Sequence, residues 1–250
     1  MTTVILFVLG IVVGSFLNVI GLRWDSRNFG GRSICPNCFK TLRWFELIPI
    51  LSFLAQKGRC RNCMTKISYQ YPLIELWTGL IFVTVPYIFL PIFCIYIVIT
   101  IYDLKHKIIP DPLVYSAIAL SLLIPLFFIP YSLLDWLAGP ILFAFFGIIW
   151  LLSRGRAMGF GDAKLGLSVG LLLGASQGFS AVILAFWIGA FVSLAYLFLD
   201  KVGLPAGKAG FLKNARKITM KSEVPFAPFI VVGAWMSLVF DPNIFYVALF

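Results

Sequence analysis

Asp103 and Asp162 are the residues best placed to do chemistry. Asp103 closes the apolar stretch 92–102 and opens Asp103-Leu-Lys-His-Lys-Ile-Ile-Pro-Asp111. Asp162 ends Gly159-Phe-Gly-Asp162, just before another apolar run. An ionisable group at the end of a membrane helix is costly and marks a functional site by default. Two carboxylates can divide the work of hydrolysing a peptide bond without a metal or a nucleophilic triad. One, ionised, activates water; the other, protonated, polarises the carbonyl. In a low-dielectric site two close carboxylates do not both ionise cheaply, which separates the two roles. Gly159 and Gly161 permit close backbone approach, with room for a substrate strand beside Asp162. Plain readings stand beside this one. Asp162 can N-cap the following helix with Lys164 as its neighbour, and Asp103 can be an interfacial residue balanced by Lys105 or Lys107. His106, the only histidine, lies in a basic loop and reads as solvated.

The segment 24–70 carries a second constellation, Cys35-Pro-Asn-Cys38 and Cys60-Arg-Asn-Cys63, with 21 residues between the pairs. Two C-x2-C pairs at this spacing suit one tetrahedral zinc held by Cys35, Cys38, Cys60 and Cys63. Four cysteine ligands leave no open position, so the metal is structural. The alternative is four free cysteines in a flexible loop. Cys94 reads as a small apolar packing residue.

The elements that position these groups are apolar helices. The chain of 250 residues is 61% hydrophobic and only 12% charged, about half the charge of a soluble domain. Several uncharged stretches reach the ~20 residues that cross a bilayer. The expected fold is all-α: a polytopic membrane protein of about eight spans near 3–22, 71–89, 91–104, 112–129, 134–153, 163–177, 178–199 and 225–248. The apolar run at 2–22 lacks a basic start and a small-residue cleavage site, so it reads as a retained span. No internal repeat is visible.

The net charge of +10 suggests nucleic acid, but its distribution says otherwise. Nine Lys/Arg fall between Arg23 and Lys66, two follow Asp103, Arg154, Arg156 and Lys164 flank Asp162, and six lie between Lys201 and Lys221. These account for all twenty, and every one falls in an alternate loop. This is the positive-inside pattern. It places the basic loops, the cysteine segment and both aspartates at the cytosolic side, with both termini outside; no nucleic-acid partner is expected. The cytosol is reducing, which disfavours structural disulfides. Helix one carries Gly10, Gly14, Ser15 and Asn18 on one face, suited to close helix contact glued by Asn18 or to lining a site. Asp111-Pro112 reads as a helix start, with Asp111 as cap.

Taken together, these segments resemble the type IV prepilin peptidases, bacterial aspartyl membrane proteases of the GxGD class. Gly14-Ser-Phe-Leu-Asn18-Val matches that family's opening signature, and Tyr71-Pro-Leu-Ile-Glu75-Leu-Trp-Thr-Gly79 the segment after its cysteine loop. Asp103-Leu with Ile109-Pro-Asp111, and Gly159-Phe-Gly-Asp162-Ala-Lys164, match its two catalytic motifs. Val224-Pro-Phe-Ala-Pro228-Phe resembles its last signature, with Ala227 where glycine is frequent. The resemblance covers nearly the whole chain. It implies one membrane domain over 1–250, an aspartyl protease portion over 91–199, and Asp103 and Asp162 as the catalytic pair. It also implies cleavage of the basic leader of prepilins or pseudopilins at the cytosolic face of the bacterial inner membrane, after a glycine and before a hydrophobic residue. Many such enzymes then methylate the new N-terminus with S-adenosylmethionine. Here the full N-terminal half and Glu75 imply that second activity, with Glu75 orienting the amine or the cationic methyl donor. Glu75 can equally serve only the positive end of its own helix. No glycine fingerprint signals a methyl-donor site independently.

The resemblance leaves one tension, since both leader and loops are basic; Glu75, Asp111, Glu46 and Asp25 are the anionic partners on that side. Other classes are a presenilin-like GxGD protease, an ion-coupled transporter and a zinc-stabilised scaffold. The first leaves the cysteine segment unused. Transport favours mid-membrane carboxylates and paired repeats, and neither is visible.

Overall fold

The computed structural model describes residues 1–25, 30–156, 158–201 and 225–241. Within these the chain is helical, with two isolated β-bridges and no strand. It divides into two compact units, one built on Met1–Thr84 and the other on Val85–Phe198 with the C-terminal helix.

The first unit contains α1 (Thr2–Arg23), a 3-10 turn at Trp44–Leu47, the short α2 (Leu51–Ala55) and α3 (Gln70–Thr84). The buried face of α1 is Gly10, Gly14, Leu17, Asn18 and Gly21, while Val4, Ile5, Val8, Val12 and Phe16 are exposed. Small residues inside and large apolar ones outside is the pattern of a helix whose outer face meets lipid. The small residues let α1 and α3 touch: a Cβ on Gly10 would lie 2.8 Å from the Gly79 Cα, and one on Gly14 3.0 Å from the Glu75 Cα.

The second unit contains a 3-10 turn at Tyr87–Phe89, then α4 (Leu90–His106), α5 (Asp111–Phe128), α6 (Leu133–Ser153), α7 (Phe160–Lys201) and α8 (Ala227–Phe240). Gly174 interrupts α7 at φ 72°, ψ −168°. The chain turns back there, since a Cβ on Gly178 would lie 3.3 Å from the Gly170 Cα; eight residues of straight helix would separate them by about 12 Å. Asp135 repairs the break by accepting the freed Ala175 N–H at 3.0 Å, while its other oxygen accepts the Ser132 N–H in a capping box that starts α6. The expected division near 177/178 therefore lies at Gly174, where glycine tolerates the left-handed turn.

Among the described residues, five helical segments are long and apolar enough to cross a membrane: Thr2–Arg23, Tyr87–His106, Asp111–Phe128, Leu133–Ser153 and Phe160–Ala195. The last has 36 residues, more than one crossing needs, and is the one cut at Gly174. α3 ends at Thr84 rather than near 89, because the chain turns through Pro86 into the 3-10 turn. α8 has 14 described residues; its expected continuation to 248 and the basic segment 202–221 lie outside the described residues.

Candidate active site and metal site

Asp103 is near the C-terminal end of α4, and Asp162 is the third residue of α7. Both are buried, and the two carboxylates interact electrostatically. Asp162 is thus inside α7, not its N-cap, because the helix starts at Phe160 and leaves Gly159 just ahead of it. Gly161 explains why that turn can sit where it does. A Cβ there would lie 2.8 Å from the Ile109 Cβ, a separation that packed atoms do not adopt. The space expected for a substrate strand at Gly161 is filled by the chain's own Ile109.

Asp103 has a partner 124 residues away: its Oδ2 accepts the Ala227 N–H at 3.2 Å. Ala227 opens α8, so this amide is one of the four without an intrahelical acceptor. The Pro-Phe-Ala-Pro signature therefore delivers a backbone donor to Asp103. Sequence reading found the signature but not this role; the sign was an orphan amide ahead of Pro228.

Lys164 does not neighbour Asp162 as a charge partner. Its ammonium pairs with Asp111 and lies 4.8 Å from the Tyr115 ring centroid. Asp111 is correspondingly the first residue of α5, with Pro110 at the N-cap position and no side-chain cap bond. The expected capping role is replaced by an ion pair that ties the start of α5 to the start of α7. Deeper in the unit, Tyr96 Oη and Ser121 Oγ both bond Ser168 Oγ, at 2.8 and 2.7 Å, joining α4, α5 and α7. In lipid such buried hydroxyls act as interhelical glue. His106 stacks on Tyr102 with centroids 4.5 Å apart.

The four cysteines of the first unit converge, with Cys35, Cys38, Cys60 and Cys63 sulfurs all within 4.8 Å of one another. The Cys35 and Cys63 sulfurs are 3.7 Å apart, close to the ~3.8 Å edge of a tetrahedron with 2.3 Å metal–sulfur bonds. The donor set and its spacing fit a metal. Each pair sits in the same small knuckle. Cys35 N–H bonds Lys40 O and Phe39 N–H bonds Cys35 O; Cys60 N–H bonds Thr65 O and Met64 N–H bonds Cys60 O. Phe39 and Met64 both take positive φ, 56° and 57°. A β-bridge closes each knuckle, Ile34 with Thr41 and Arg59 with Lys66. The chain thus contains a local repeat that composition did not reveal. Hydrogen bonds from the Thr65 side chain and backbone lower the Cys63 thiol to about 5. Backbone hydrogen bonds at Cys63 and Asn62 lower Cys60. At Cys35, backbone bonds at Cys38 and Asn37 pull down, but burial and the neighbouring thiols outweigh them and leave it raised. Thiolate is the ligand form, so this mixture favours metal capture.

Glu75 is buried in the second turn of α3, not the first. Its Oε2 accepts the Ile50 N–H at 2.8 Å, and Ser15 also bonds the carboxylate. Ile50 is at φ 59°, a costly conformation for a β-branched residue. Glu75 therefore anchors the entry to α2. The reading in which it serves only its own helix end fails, because it is too far along the helix. Of the other anionic candidates, Glu46 caps its own 3-10 turn by accepting the Arg43 N–H at 2.8 Å.

Two family profiles together span most of the chain. The bacterial peptidase A24 N-terminal domain matches residues 8–89, and the type IV leader peptidase family matches residues 88–194. The chain is 30% identical over 263 residues to the prepilin leader peptidase/N-methyltransferase of Bacillus subtilis (strain 168), covering 96% of this chain and 95% of that protein. It is 30% identical to the protein of the same description from Stutzerimonas stutzeri, covering 95% and 90%. It is 31% identical to the type 4 prepilin-like proteins leader peptide-processing enzyme of Escherichia coli O78:H11, covering 90% and 88%. No solved structure matches the chain.

Proposed function

The chain belongs to the type IV prepilin peptidase family, and on that premise we propose that it cleaves the leader of type IV prepilins and N-methylates the new N-terminus. The observation that carries the peptidase reading is the buried pair Asp103 and Asp162, whose carboxylates interact electrostatically. One carboxylate takes a proton from water while the water oxygen attacks the scissile carbonyl carbon. The other gives its proton to the carbonyl oxygen. The tetrahedral intermediate collapses and the C–N bond breaks; the leaving nitrogen takes the proton that the first carboxylate received, and the second recovers its own from the hydroxyl formed on the carbonyl oxygen. The Ala227 amide holds Asp103 in place for this exchange, and Gly161 lets α7 bring Asp162 within its range.

Residues 91–199 form the protease portion. The metal is zinc, with a structural role, held by Cys35, Cys38, Cys60 and Cys63; the tetrahedral spacing supports this. S-adenosylmethionine supplies the methyl group, and Glu75 is the carboxylate that meets the cationic partner in that reaction. The protein is a multi-pass protein of the bacterial inner membrane. Arg23, Lys105 with Lys107, and Arg154 with Arg156 lie at or just beyond the C-terminal ends of α1, α4 and α6, which supports a cytosolic site and outer termini.

The test is purified protein in detergent with a prepilin and S-adenosylmethionine, read by mass spectrometry. Loss of the leader plus one methyl group is expected. Intact prepilin with a folded enzyme would remove the peptidase reading. Glu75→Gln keeps an acceptor for Ile50 but not the charge, and is expected to give cleaved, unmethylated product. Full methylation at the wild-type rate would remove Glu75 from the reaction.

A further inference from the structure

We propose that the seam between α1 and α3 holds a binding site for a primary ammonium, built from the Asn18 side-chain oxygen and the Glu75 carboxylate. Its ligand is the α-ammonium of the processed pilin. This rests on the methyl-transfer reading above and names the residues that take its acceptor substrate.

Asn18 is 1% exposed and Glu75 6% exposed. The Asn18 Nδ2 donates to Gly14 O at 3.2 Å and to Tyr71 O at 3.5 Å. Both partners are carbonyls, which only accept, so the amide has one allowed orientation. Its Oδ1 then points away from them, and it is buried without a hydrogen-bond partner. A buried acceptor left without a donor is unusual in a folded chain.

Glu75 is its neighbour. Tyr71, whose carbonyl receives the Asn18 amide, lies one helical turn before Glu75, and Gly14 packs against the Glu75 backbone. Among the described residues no lysine or arginine forms an ion pair with Glu75. The carboxylate accepts the Ile50 N–H and a bond from Ser15, which leaves part of its roughly four acceptor positions open. The seam thus presents a charged acceptor and a neutral one, with no cation to complete them. The complementary guest is positively charged and rich in N–H donors. A primary ammonium has three; the sulfonium of S-adenosylmethionine has none, and the α-ammonium of that donor is the rival the experiment below separates. The backbone bond to Glu75 comes from Ile50, held at φ 59°.

The experiment uses the full-length protein in detergent and a fluorescent peptide with the mature pilin N-terminus, compared free and N-acetylated. Wild type is expected to bind the free amine about tenfold or more tightly, the size of a charged hydrogen bond. Asn18→Leu is expected to erase that preference, with its folding checked by metal content and thermal melting. Equal wild-type affinity for the two peptides overturns the site, and that comparison does not depend on any variant folding. A preference that survives in Asn18→Leu also overturns it. So does a loss of affinity for S-adenosylmethionine in place of the peptide. A wild type that prefers the free amine yet transfers no methyl group leaves the site standing and removes the methyl-transfer reading instead.

Discussion

Each half of the cysteine site is made within one short stretch, 34–41 and 59–66, whereas the aspartate site draws on four separated stretches. In the first, a turn, two backbone hydrogen bonds and one positive-φ residue aim each pair of sulfurs. In the second, α4 supplies Asp103, α7 supplies Asp162, α8 supplies the Ala227 amide, and Ile109 sets how near α7 can come. A site built from short-range turns survives changes elsewhere and fails only when its own ligands are lost. A site built from helix packing fails when the packing shifts, even if both aspartates remain.

Removing a cysteine is the strongest test of the local half. Cys35→Ser or Cys63→Ser is expected to take metal content from about one per chain to near zero, and to open residues 30–69 to proteolysis. Metal binding usually is folding energy for such loops. Retained metal and an unchanged cleavage pattern would show that the cluster is not the ligand set. Acid should act in the same direction. Folding lowers the Cys63 thiol to about 5, against about 8.5 in an unfolded chain. The metal-free loop therefore binds this proton more weakly than the unfolded chain. Its contribution is complete above about pH 8.5 and is lost as pH falls through about 5. Limited proteolysis of metal-free protein across that window checks the sign.

On the aspartate side, Asp103→Asn and Asp162→Asn keep size and one acceptor but cannot titrate. Each is expected to lower leader cleavage by about 10²–10⁴-fold or more, with melting and helicity retained. Near-normal cleavage by either purified variant would sink the pair.

Gly161→Ala touches neither carboxylate and separates packing from chemistry. The new methyl would meet Ile109 at 2.8 Å, and overpacking of this kind costs about 1–3 kcal/mol. Cleavage should fall roughly 10–100-fold if that cost is felt at the site. Ile109→Gly in the same chain should restore much of it, and failure of the rescue would break the link between packing and the pair.

The smallest effect is expected at Asp135, which reconnects α7 at its break. Asp135→Ala frees the Ala175 and Ser132 amides and should cost about 1 kcal/mol, the scale of a lost cap. A melting point lowered by a few degrees, with cleavage within about twofold at 25 °C, is the expected result. An unchanged melting point would mean that the turn at Gly174 holds without it.

Much of the molecule can be read from local pattern alone. The apolar runs, the basic residues in alternate loops, the two C-x2-C pairs and the carboxylates at helix ends are properties of neighbours along the chain, because helix period, hydropathy and ligand spacing act over a few residues. Partners across the chain were decided only by packing. Lys164 meets Asp111, 53 residues away, only once the starts of α5 and α7 come together. Asp103 finds the Ala227 amide, and Ile109 occupies the hollow at Gly161, for the same reason. Gly174 carries the break because glycine tolerates its positive φ, and Asp135, from α6, caps the amide that the break frees. Asn18 is legible as a polar residue on a small-residue face. That its oxygen is left without a donor depends on which two carbonyls the amide reaches, and those come from two helices that only the folded chain brings together.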